Sequence, residues 1–294
     1  MANSPELPDG TVEVRLRHQD RDRSYFLHTG GAEQAIPKPL LLALHGRGIA
    51  PLMFDRWTGY SALADEEGFV LAMPSAIGEI WNDGRYRGPS WRELAAIDDV
   101  GYLHVVIDDV IGRQAVDPER IYLAGMSNGA AMGGRVAWER PGRIGAFAQV
   151  AGTAAVAVVE RSVPEVPVRI LQMHGTHDRW APYAGGRARG ILARLIVRHP
   201  AVSSLSVDDW ARALVLLNGA GEEPDVETVA PGVTVRRWGE GSPSSDVVFY
   251  QVEGGGHTWP GARIWMPPHL GRTTPALDAT RISWDFLSNH GRGT

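Results

Sequence analysis

Cysteine is absent from this 294-residue chain, which removes disulfides, thiolate nucleophiles and thiolate metal ligands together. Lysine is almost absent as well. Lys38 is the single one among 29 basic residues, and the remainder are arginine. Basic charge is in deficit, 34 acidic against 29 basic residues for a net charge of −5. That balance gives no electrostatic footprint for nucleic acid or an anionic membrane surface. No apolar run approaches the roughly 18 residues a membrane-spanning helix needs, so no membrane span is expected. Residues Met1–Gly10 lack a basic region followed by an apolar stretch, so no signal peptide is expected there. What remains is ordinary globular material, 44% hydrophobic and 21% charged, long enough to bury a large core.

The stretch Ile121–Met132 carries the most information. An apolar run ends in Gly125-Met126-Ser127-Asn128-Gly129 and passes into small, helix-compatible residues. This is the G-x-S-x-G nucleophile elbow in its required setting of strand, sharp turn and helix. The turn lifts the Ser127 hydroxyl clear of a sheet, and side chains at Gly125 or Gly129 would crowd it.

Continuous apolar runs at Leu40–Leu44, Phe69–Met73, Ile121–Ala124, Ala146–Val150, Val168–Met173 and Val247–Val252 suit strands buried on both faces. Alternation in Val12–Leu16 and near Tyr25–Leu27 predicts an N-terminal antiparallel pair. Helical patterns lie between the runs. One is capped by Asp98 and stopped by Gly112; others cover Asn128–Trp138, Val207–Leu217 and Leu277–Leu287. Asp98 and Asp99 are read as helix-capping groups rather than catalytic carboxylates. The alternation predicts an α/β fold, a mostly parallel doubly wound sheet. With no internal repeat or low-complexity linker, one domain over residues 1–294 is expected. Ser75–Ala96 and Tyr183–Ser204 break the alternation, and long excursions past strand ends commonly carry substrate loops.

An elbow serine needs a base, and the base needs an acid to fix its tautomer. Asp178 follows the strand Val168–Met173 within His174-Gly175-Thr176-His177-Asp178. His257 follows the strand Val247–Val252 within a glycine loop. The order Ser127, Asp178, His257 is the order of an α/β-hydrolase triad, and all three lie just past strand ends. The turn His45-Gly46-Arg47-Gly48 follows Leu40–Leu44. The Arg47 amide, with Gly48 as an alternative, is the expected partner of the Asn128 amide in an oxyanion hole. His174, His177 and Asp178 also have a metal-like spacing. Their turn lacks zincin helical geometry and has no evident third anchor, so no metal and no cofactor are expected. Among ten tryptophans, Trp81, Trp91, Trp180 and Trp259 fall in loops or beside the triad and are candidate substrate-binding residues. Trp265 is also in a loop, whereas Trp138, Trp210 and Trp284 sit in helical patterns and read as core.

In Leu42–Gly48, Asp98–Tyr102, Val116–Met132, His174–Gly186, Gly254–Gly261 and the tail from Asp278, the chain resembles the polyhydroxybutyrate depolymerase and feruloyl esterase family of α/β-hydrolases. Gly-Gly-Gly-His-Thr-Trp-Pro-Gly is the most specific of these segments. The resemblance implies Ser127 as nucleophile, Asp178 as acid, His257 as base, and an ester of small-molecule or oligomeric size as partner. Members often carry cysteine where this chain has Arg47 and Ala220. An arginine at the mouth leaves backbone donation intact but bears on substrate choice. Members are often secreted, which fits a leader trimmed earlier. The expected function is a serine-dependent carboxylic ester hydrolase. Acyl transfer by the same triad, polyhydroxyalkanoate depolymerisation and a catalytically silent binding module are the alternatives.

Overall fold

The computed structural model describes residues 7–30, 36–86, 88–188, 203–239 and 246–289. Among the described residues, ten strands run in chain order: β1 (Thr11–His18), β2 (Arg21–His28), β3 (Lys38–Leu44), β4 (Val70–Pro74), β5 (Val116–Met126), β6 (Ala146–Val150), β7 (Ile170–Gly175), β8 (Asp225–Ala230), β9 (Val233–Trp238) and β10 (Val247–Val252). They form one sheet in the order β1-β2-β4-β3-β5-β6-β7-β10-β9-β8. The six strands from β4 to β10 are parallel. The antiparallel pair β1–β2 joins one end, and β9 and β8 join the other antiparallel. This is the α/β architecture expected, with its N-terminal pair. The hairpin β8–β9 was not anticipated. β8 is exposed along almost its whole length and has no apolar face to signal it, although Val233 and Val235 in β9 do alternate.

Helices cover both faces. On one lie α3 (Asp99–Arg113), α4 (Asn128–Glu139) and α5 (Val207–Asn218); on the other lie α1 (Pro51–Thr58), α2 (Tyr60–Glu67) and α6 (Ala279–Ser288). β3 shows why the central strands are continuously apolar. Leu40, Leu42 and Leu44 enter the first core, while Leu41 and Ala43 enter the second. Each fully buried leucine contributes roughly 2 kcal/mol. α1 and α2 went unread in the sequence, although Pro51 at the start and Gly59 and Gly68 in left-handed caps punctuate them. Gly112 does not stop α3, which continues to Arg113. A single exposed glycine costs only about 1 kcal/mol, less than the Val106, Ile107 and Val110 packing holding that helix.

Asp98 caps α3 by accepting from the Gly101 amide at 2.8 Å. Asp99 is not a cap. It is buried in an ion pair with Arg23 at 2.7 Å and also accepts from the Asn82 amide at 2.7 Å. The excursion Tyr183–Ser204 is closed at its base by Gly186 and Ser204, whose amides bond each other's carbonyls, and residues 189–202 of it lie outside the described residues.

Gln149, buried in β6, ties the sheet to two helices. Its Nε2 donates to Ala130 O and its Oε1 accepts from Trp210 Nε1, both at 2.8 Å. Gln149→Leu leaves the Trp210 indole N–H buried without an acceptor, and should lower stability by about 2 kcal/mol in urea denaturation. Adding Trp210→Phe should recover part of the loss; an unchanged unfolding midpoint in the single variant would contradict this role.

Candidate active site

Every chemical group of interest sits past the C-terminal end of a parallel strand, at one rim of the sheet. β5 delivers Ser127, β3 the His45–Gly48 turn, β7 Asp178 and β10 His257. Ser127 has φ 57° and ψ −117°, a left-handed conformation that a serine adopts only under constraint. The constraint is visible: its N–H donates to Val150 O at 2.9 Å, and its carbonyl accepts from Ala131 N at 2.9 Å. Close approach explains Gly129, because a Cβ there would run into the Leu44 and His45 carbonyl oxygens.

Ser127 Oγ lies 2.8 Å from His257 Nε2, and His257 Nδ1 lies 2.7 Å from Asp178 Oδ2. Ser127, Asp178 and His257 are therefore brought together in hydrogen-bonding order. The other Asp178 oxygen accepts from the amides of Trp180 and Ala181, each at 2.8 Å. Burial works against ionisation of Asp178, but His257 and His174 outweigh it and hold the carboxyl well below its ordinary range. His174 Nε2 donates to Ala181 O at 2.7 Å and stands 3.5 Å from Asp178 Oδ2, bracing the acidic turn. His177 is exposed beside Thr176. Among the described residues, no three His, Asp or Glu side chains cluster as a metal site.

Arg47 and Asn128 both line the cavity beside Ser127. Gly48, the alternative donor, spends its N–H on Glu79 O at 2.9 Å. Among the described residues the Arg47 and Asn128 amides have no such acceptor. His45 shapes the turn. The Ala76 amide donates to its Nε2 at 3.1 Å, so Nδ1 carries the proton and donates to Gly46 O at 2.8 Å. That bond fixes the Gly46–Arg47 peptide, whose N–H belongs to Arg47.

The cavity holds about 820 Å³ and has apolar walls from Ile49, Met53, Trp57, Met126 and Leu270. Of the four tryptophans expected to contact substrate, Trp180 lines it, with its ring 6.4 Å from that of His257. Trp81 and Trp259 do not. Both are fully buried, because their indole N–H groups find partners inside: Trp81 on His45 O at 2.9 Å, Trp259 on Thr280 Oγ1 at 3.0 Å. Trp91 is half-buried, packs on Tyr86 at 5.1 Å, and leaves the lining to that tyrosine. Sequence reading missed Arg85, whose guanidinium enters the cavity wall anchored on buried Asp83 and on Ser204 Oγ at 3.1 Å. The polar character of the 75–96 excursion was the available signal.

The family model described as esterase PHB depolymerase matches residues 23–173. The chain belongs to this family. NocK of Nocardia uniformis subsp. tsuyamanensis, provisionally named an esterase, is 32% identical over 278 residues, covering 91% of this chain and 79% of the relative. Feruloyl esterase B of Piromyces equi is 27% identical over 230 residues, covering 74% of this chain; the chain spans 39% of that relative's length. Among solved structures, an acetyl xylan esterase from Aspergillus awamori superposes with a TM-score of 0.58 at 13% identity, covering 84% of this chain and 94% of that one. The fold is that of the α/β-hydrolases, and the family member is a carboxylic ester hydrolase.

Burial pushes His45 down to about 4 against the ordinary 6.5, partly opposed by its bond to Gly46. Between those values the unfolded chain takes up a proton at His45 that the folded protein refuses. This contribution to stability is complete above pH 6.5, and falls away as pH drops toward 4. It amounts to on the order of 3 kcal/mol. His45→Gln should flatten the fall of the unfolding temperature between pH 6.5 and 4; an unchanged slope would show that His45 is not the group responsible.

Proposed function

We propose that this protein hydrolyses carboxylic esters through a Ser127–His257–Asp178 triad and a covalent acyl-enzyme. The observation that carries the proposal is the unbroken pair of hydrogen bonds from Ser127 Oγ to His257 to Asp178, at 2.8 and 2.7 Å. His257 Nε2 takes the serine proton as Oγ attacks the ester carbonyl. The Arg47 and Asn128 amides then hold the oxyanion of the tetrahedral intermediate, and donors of this kind are worth ~3 kcal/mol each. His257 returns its proton to the departing alcohol. Water, deprotonated by the same imidazole, attacks the acyl-enzyme and frees the acid. Asp178 stays ionised throughout and accepts the Nδ1–H of His257, so that Nε2 faces the serine.

The substrates favoured are soluble aryl or short-chain esters, feruloyl esters included. The apolar walls, with Trp180 beside the base, suit a flat or compact acyl group. A hydroxyalkanoate oligomer is the second substrate reading, and it too is an ester that the same steps would cleave. Acyl transfer to an acceptor alcohol would share every step except the last. The catalytic unit proposed is the single domain containing the ten-stranded sheet.

Ser127→Ala should cut p-nitrophenyl ester turnover by about three orders of magnitude or more, as in other triads. Asp178→Asn should lose a comparable factor by favouring the wrong His257 tautomer. Retention of the wild-type rate by Ser127→Ala would refute the mechanism. Methyl ferulate, short p-nitrophenyl acyl esters and a hydroxybutyrate oligomer, compared on kcat/KM, decide among the substrates. Added alcohols distinguish transfer from hydrolysis through the products.

A further inference from the structure

We infer that Trp81 is a positioning residue that joins the two halves of the oxyanion hole into one rigid unit. This rests on the assignment of the Arg47 and Asn128 amides as oxyanion donors. Those donors belong to chain segments about eighty residues apart in sequence: the turn after β3 and the elbow after β5. A hole assembled from two segments stabilises charge only if their separation is fixed before the reaction, since reorganisation during it forfeits the gain.

Trp81 bonds both of those segments. Its backbone N–H donates to Asn128 Oδ1 at 2.8 Å, and its carbonyl accepts from Asn128 Nδ2 at 3.1 Å. The elbow side chain thus grips the Trp81 backbone as a second strand would. On the other side, Trp81 Nε1 donates to His45 O at 2.9 Å, two residues before Arg47. The ring packs 5.0 Å from the His45 imidazole, whose Nδ1 orients the Gly46–Arg47 peptide. Trp81 is fully buried, so water does not compete for these bonds. Neighbours in the same loop reinforce the link. Asp83 Oδ2 accepts from Asn128 Nδ2 at 2.6 Å, and Glu79 O takes the Gly48 amide at 2.9 Å. The Gly48 amide is thereby occupied, and the Arg47 and Asn128 backbone amides are left for substrate. The indole is not a stacking platform for substrate; it is a crossbar behind the site.

Trp81→Phe tests this by deleting the indole N–H while keeping a ring in the core. The expected result on a p-nitrophenyl ester is a kcat lower by about 10- to 100-fold, less than loss of a whole donor would cost, with KM within about twofold. A chemical readout separates positioning from general damage. In a thionoester the developing charge sits on a larger, weakly hydrogen-bonding sulfur, which a tight oxyanion hole serves poorly. The wild type should strongly prefer the oxygen ester, and Trp81→Phe should narrow that ratio at least several-fold. Asp83→Asn, which weakens the grip on the Asn128 side-chain carboxamide and leaves Trp81 in place, should narrow it in the same direction. It supplies the measurement if Trp81→Phe does not fold. Wild-type kcat in Trp81→Phe, or equal losses on both esters in whichever variant folds, overturns the inference. Ser127→Ala inactive alongside either result leaves the triad standing, so the two proposals fail separately.

Discussion

The structure depends on how closely the N-terminus of α4 approaches the end of β3. At Gly129 the helix backbone rests against the Leu44 and His45 carbonyl oxygens, with no room for a Cβ. That contact sets the turn after β5 beside the His45–Gly48 turn, where Ser127 has φ 57°. Parallel pairing of β3 with β5 sets the register, Leu44 opposite Gly125, so both strands end level and release their loops together. A one-residue slip would shift Ser127 relative to the Arg47 amide, and would turn each strand's buried residues toward the wrong core.

Around that contact the protein places polar groups where water cannot reach and pairs nearly every one that touches the site. Asp178 accepts two backbone amides on one oxygen and His257 on the other. Asn128 divides its side-chain carboxamide between the Trp81 backbone and Asp83, and Asp83 also compensates Arg85. Burial works against the Arg85 charge, and Asp83 more than restores it. These networks are costly if half satisfied, and when complete they hold a geometry that apolar packing alone would leave loose. The cavity in front combines apolar walls with the Arg85 guanidinium anchored on Asp83.

The family relationship and the site geometry support each other at different levels. Sequence similarity carries the family and the ester-hydrolase chemistry; the solved acetyl xylan esterase, at 13% identity, carries the fold alone. Neither names the acyl group or the alcohol. The side chains of Arg47, Arg85, Tyr86 and Trp180 line the cavity in which the proposal seats the ester.

By itself the sequence determined the nucleophile elbow, the order of Ser127, Asp178 and His257, the central parallel strands and the N-terminal hairpin. Each of these is written locally: glycines flank a turn, an apolar run ends in a polar residue, or apolar and polar residues alternate. Only the tertiary structure decided which tryptophans see the cavity. Exposure of Trp81, Trp91, Trp180 and Trp259 depends on what packs over each ring, and no local pattern encodes that. Asp99 was misread for the same reason, since its partner Arg23 lies 76 positions away in sequence. Gly48 lost its place as a donor to a carbonyl from another loop, at Glu79. A hydrogen bond or a burial made between distant segments becomes a property of the chain only when the fold brings those segments into contact.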